Sequence, residues 1–125
     1  MTAVARWGAV VIDCADPVAL AAFWAEMLGG TVHDEGYGDP PRYVAIAPAD
    51  ERGMWLTLQR VPEDKVGKNR LHLDFYPEDL EEAAARVEAL GGSRASEDDV
   101  REFGFRWRVM ADPAGNEFCL IVRDA

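Results

Sequence analysis

The strongest constraint on the fold is an internal duplication. Residues 7–30, WGAVVIDCADPVALAAFWAEMLGG, run from an apolar stretch through an acidic cap and an amphipathic segment to a Gly-Gly stop. Residues 69–92, NRLHLDFYPEDLEEAAARVEALGG, repeat that order, and strand-like segments follow each copy. A strand-helix-strands unit made twice in one short chain predicts two half-sheets curving around a shared concavity, where side chains from several strands converge on a small molecule.

At 125 residues with 49% hydrophobic content, the chain suits one compact domain better than two independent ones. The expected organisation is a single domain over 1–125, with one module at about 5–60, a polar linker at 61–68 and a second module at about 69–123. The net charge of −10 and the lack of a basic stripe with interleaved aromatics exclude nucleic acid as the expected partner. A cationic or neutral small ligand is easier to accommodate. No apolar run reaches membrane-spanning length, and the first residues meet acids before a signal-peptide core could form, so the expectation is a cytoplasmic chain with no membrane partner. Cys14 and Cys119 lie in apolar strand-like runs without a CxxC spacing, which predicts buried thiols and not a disulfide or zinc site.

In the first module Gly8 to Cys14 is β-rich, and Asp16-Pro17 supplies a capping oxygen followed by Pro at the first helical position. Leu20, Phe23, Trp24 and Met27 recur at helical spacing until Gly29-Gly30. Strands are expected at 31–35, 42–47 and 54–60, around a Gly-Pro loop and a turn at 50–53. The second module has a strand over 71–76, a helix over 79–90, a weak strand over 93–96 and a charged loop over 97–102. Leu80, Ala83, Ala84 and Val87 form that helix's apolar stripe, with Glu81, Glu82, Arg86 and Glu88 toward water. A last hairpin, 105–111 and 117–122, encloses Asp112-Pro113-Ala114-Gly115-Asn116.

Taken together, the duplicated AspPro-helix-GlyGly units and the closing DPAGNEFCLIV resemble the vicinal oxygen chelate superfamily, which includes glyoxalase I, extradiol dioxygenases and the fosfomycin- and bleomycin-resistance proteins. VVIDCADPVALAAFW with the late GNEFCL is similar to the small glyoxalase-like domain proteins of bacteria. The resemblance implies an α+β fold of two βαβββ modules forming a curved, cup-shaped mixed sheet, usually completed by homodimerisation. It also implies divalent-metal ligands, commonly His or Glu, on the first and last strands of each module. His72, seven residues before Asp79, fits that pattern; Ala9, the same distance before Asp16, does not. Cys119 stands where the family's Glu usually follows DPxGN, and Thr57 or Gln59 occupies the remaining position. One conventional ligand of four gives no expected metal centre and no expected cofactor.

Strand alternation defines what faces the concavity. Val10, Ile12 and Cys14 pack beneath the helix, leaving Ala9, Val11 and Asp13 open; Leu71, Leu73 and Phe75 pack inward, leaving His72, Asp74 and Tyr76 open. The candidate ligand-binding residues are therefore Asp13, Trp55, Gln59, His72, Asp74, Tyr76, Glu117 and Cys119, an acidic cup with aromatic walls. Asp13 and Asp74 are read as corresponding positions of the two copies, Glu117 as a partner for Arg106 or Arg108, and His33 as exposed and inert. His72 is either a hydrogen-bonded structural residue or, with Glu117 or Asp74, a proton-transfer group. Phe23 and Trp24 are core or dimer-contact residues.

Three functions follow. The first is a metal-free homodimer binding a small, cationic or aromatic molecule, similar to the bleomycin-resistance branch. The second is a glyoxalase-like lyase or isomerase using His72 and a carboxylate, and the third is a metal-dependent lyase or dioxygenase with an unusual ligand set. No nucleophile elbow, phosphate-cradling glycine loop or dinucleotide fingerprint points elsewhere.

Overall fold

The computed structural model describes Ala3 and residues 7–124. The chain divides between Asp64 and Lys65, inside the linker, into two compact units with the same layout.

In the first unit β1 (Ala9–Cys14) leads into α1 (Pro17–Leu28), followed by β2 (Thr31–His33), β3 (Tyr43–Ala47) and β4 (Trp55–Arg60). The strands form one sheet in the order β1-β4-β3-β2, with β1 and β4 parallel and the other pairs antiparallel. Helix α1 begins where Asp16 accepts a hydrogen bond from the Ala19 N–H, and Pro17 costs no bond at the first position. Its apolar face packs on β3 and β4. Phe23 and Trp24, edge to face at 5.2 Å, are buried there within their own unit, together with Val44, Ile46, Leu56 and Leu58. This resolves the two readings of that pair in favour of core.

The second unit runs β5 (Leu73–Phe75), α2 (Leu80–Ala89), β6 (Ser93–Arg94), β7 (Val100–Glu102), β8 (Phe105–Ala111) and β9 (Glu117–Arg123). Its sheet order, β5-β9-β8-β6, copies the first, with β7 added alongside β8. Asp79 caps α2 through the Glu82 N–H, and Leu80, Ala84 and Val87 are the buried stripe. The closing DPAGN turn is organised by Asp112, nearly wholly buried, whose carboxylate accepts from the Ala114 and Asn116 N–H groups and from the Asn116 side chain.

The repeated Gly-Gly has a two-part cause. Gly29 and Gly91 take left-handed conformations, φ 65° and 99°, that end each helix. Gly30 and Gly92 instead let the returning chain press on its sheet: a Cβ would lie 2.6 Å from the Ala47 carbonyl oxygen in the first unit and 2.8 Å from that of Ala111 in the second.

Two local expectations change. The charged loop at 97–102 contains β7, because Phe103-Gly104 makes a two-residue turn with both φ positive, 51° and 82°, pairing Glu102 with Phe105. The strand expected at 71–76 is confined to Leu73–Phe75, so Leu71 is exposed and not packed inward. Glu81 is exposed, as expected, and its carboxylate also accepts hydrogen bonds from Arg108. Among the described residues, no helix is long and apolar enough to cross a membrane.

Candidate functional site

Each helix packs on one face of its sheet, and the candidate residues lie on the opposite face. In the first unit, the alternation along β1 buries Cys14 and leaves Ala9, Val11 and Asp13 exposed, as expected. Register then pairs Asp13 with Gln59, and Gln59 with Tyr43; Trp55 lies opposite Ala9 at the far end of the same face. The backbone carbonyl of Gln59 accepts a weak hydrogen bond from the Cys14 thiol, and Arg60 ties β4 to the entry of α1 through the Ala15 carbonyl and Asp16. These contacts fix the strand ends on which Asp13 and Gln59 sit.

In the second unit, Asp74 pairs with Cys119, and Cys119 with Val109. His72 and Tyr76 flank β5 on either side, both exposed. Cys119 is buried, and desolvation, reinforced by the Asp74 charge, pushes its thiol above the ordinary cysteine range. Both cysteines are free thiols, as their setting in apolar strands implied.

Glu117 does not meet Arg106 or Arg108. On β8 Arg108 stands opposite Leu120 and so faces α2, whereas Glu117 points to the other side of the sheet. Its carboxylate instead accepts from the Asn69 N–H at 3.2 Å and pairs with Lys65 at 3.6 Å, while the Asn69 side chain donates to the Glu117 carbonyl. Glu117 therefore anchors the segment entering the second unit. Arg108 is buried between Asp99 and Glu81, and its guanidinium holds both carboxyls below their usual range.

The helix caps align the two copies, Asp16 with Asp79, so Ala9 corresponds to His72, Val11 to Asp74 and Asp13 to Tyr76. In that alignment Val10 faces Leu56 as Leu73 faces Phe118, so Thr57 corresponds to Cys119. Asp13 and Asp74 are thus not equivalents. Thr57, not Gln59, occupies the fourth ligand position that the resemblance implies. Of the ligand positions that the resemblance implies, Ala9 offers no donor and Thr57 a weak hydroxyl in the first unit, and the second offers the His72 imidazole and the buried Cys119 thiol. These residues do not fit a divalent ion. Among the described residues, no group of three or more His, Cys, Asp or Glu side chains is placed to hold a metal.

The residue that sequence reasoning passed over is His33. It pairs with Ala45 across β2 and β3, and its ring lies 5.6 Å from that of Trp55. With Asp34, Glu35 and Tyr37 these residues line a cavity of about 420 Å³ on the first unit. The alternation of Thr31 and His33 on a strand leading into a glycine-rich loop was the available signal.

The fold is that of a superfamily of known structures. A glyoxalase/bleomycin resistance protein/dioxygenase family enzyme from Burkholderia phytofirmans superposes with a TM-score of 0.74 at 16% identity, covering 94% of this chain and 98% of that one. The fosfomycin resistance protein FosX of Listeria monocytogenes gives 0.72 at 14% identity, with 95% and 93% covered. A superfamily member from Sphaerobacter thermophilus gives 0.71 at 19%, with 94% and 97% covered. Among curated proteins none matches the sequence. The profile of the glyoxalase-like domain matches residues 9–121, and the chain belongs to that family.

Proposed function

We propose that this protein binds a small organic molecule on a sheet face opposite its helix without a divalent metal. The observation that carries the reading is the register-defined set Ala9, Thr57, His72 and Cys119, which retains one conventional metal donor. Those faces, bearing Asp13, Gln59 and Trp55 in one unit and Asp74 in the other, supply polar and aromatic contacts of the kind that orient a ligand. A thermal-shift screen of small organic compounds in the presence of a chelator tests it. A ligand at one hundred times its dissociation constant adds roughly 2.7 kcal/mol, a rise of several degrees for a chain of this size. Hits that appear only when a divalent ion is supplied, or about one bound metal per chain by elemental analysis, would refute the reading.

A glyoxalase-like proton-transfer activity is the second reading. The ties of Glu117 to Asn69 and Lys65 favour the exposed Asp74, two residues from His72, as the carboxylate in it. His72→Ala would then abolish turnover with an unchanged melting temperature.

A further inference from the structure

The cavity beside His33 is open to solvent and shaped by the loop after β2. Strand β2 stops at His33, and the loop that follows curls back because Gly36 and Gly38 adopt φ of 89° and 100°, conformations that other residues rarely enter. The Arg42 N–H closes the loop by donating to the Tyr37 carbonyl at 2.9 Å. The Tyr37 ring is set edge-on against Tyr43 at 6.2 Å. Ala45, opposite both His33 and Thr57, contributes only a methyl group, so the space between the rings of Tyr37, His33 and Trp55 stays open.

The charge of the lining is one-sided. Asp34 and Glu35 border the cavity, no Lys or Arg does, and among the described residues neither carboxylate has an ion-pair partner. The nearby Arg42 places its guanidinium over the Tyr43 ring, 5.9 Å from its centroid. Aromatic faces attract cations, and two unpaired carboxylates at the rim add to that attraction and repel anions. The volume lies within the range of sites that take small organic ligands.

We propose that this cavity is a binding site for a flat organic cation of the amidinium or guanidinium type. The cation would rest against Trp55 and Tyr37 with its N–H fork toward Asp34 and Glu35. The assignment rests on the metal-free binding reading above and narrows it to one end of the first unit.

Benzamidinium and its neutral isostere benzamide separate charge from shape, and calorimetry with ligand-observed NMR reads their binding to the whole chain without metal. Benzamidinium should bind several-fold more tightly than benzamide, up to about twenty-fivefold, given up to about fivefold for each of the two exposed carboxylates. Asp34→Asn with Glu35→Gln should reduce benzamidinium to the level of benzamide. Trp55→Ala should weaken both probes, and Glu88→Gln, on the exposed face of α2, should change neither; melting curves confirm that the variants fold. Equal binding of the two probes, no binding of benzamidinium, or binding lost in Asp74→Asn but kept in the Asp34/Glu35 variant would overturn the proposal. The metal-free reading would survive those results, because it fails only if ligands in the chelator screen require a divalent ion.

Discussion

Replacing Arg108 by Met tests the polar centre of the second unit. Arg108 makes four hydrogen bonds, two to Asp99 at 2.7 and 2.9 Å and two to Glu81 at 2.7 and 3.2 Å. Their worth differs because their exposure does. Glu81 has 68% of its side chain exposed, so water replaces Arg108 there at little cost, whereas Arg108 and Asp99 are 8% and 13% exposed. Removing one partner of a buried pair costs about 3–5 kcal/mol. Asp99 keeps Arg94 at 2.9 Å and Arg106 at 3.9 Å, and Met keeps the apolar stem, which together reduce the expected loss to about 2–3 kcal/mol at neutral pH. For a chain of this length that is a fall in melting temperature of about 10 °C. The pH dependence carries the sign. Asp99 and Glu81 have carboxyls lowered first by the hydrogen bonds from Arg108, so their stabilisation is complete above the unfolded carboxylate range and is lost as pH falls through the folded values. Urea titrations of wild type and R108M should therefore differ most at pH 7 and converge in acid, once pH falls below the lowered folded values of the two carboxyls. A variant within about 0.5 kcal/mol of wild type at pH 7, or a gap that stays constant into acid, would refute the reasoning and leave Arg108 a packing residue only.

Cys119, buried with its thiol pushed upward, should alkylate at least about tenfold more slowly in the native chain than in urea, with its rate rising only at a pH above that of a free thiol. Rapid native labelling at neutral pH would contradict that. A homodimer is expected from the short, exposed edge strand β2 and from exposed apolar side chains such as Val11 and Leu71. Sedimentation that gives a monomer at micromolar concentration and above would count against it.

The duplication, the two helix caps, the Gly-Gly stops and the DPAGN turn were legible in the sequence because each depends on local chemistry: a side-chain oxygen three residues before an orphan N–H, a backbone only glycine adopts, an Asp folded over its own turn. Period-two alternation likewise placed Val10, Ile12 and Cys14 on one face and Asp13 on the other, since the pleat alone decides it. Pairing is not local. Which of Thr57 and Gln59 matches Cys119, and that Glu117 reaches Asn69 and Lys65 instead of Arg108, depend on the register between strands distant in sequence. The cavity at His33 belongs to the same class. Its walls come from the end of one strand, the loop after it and two further strands, and only the packed sheet brings His33, Tyr37, Ala45 and Trp55 around one space.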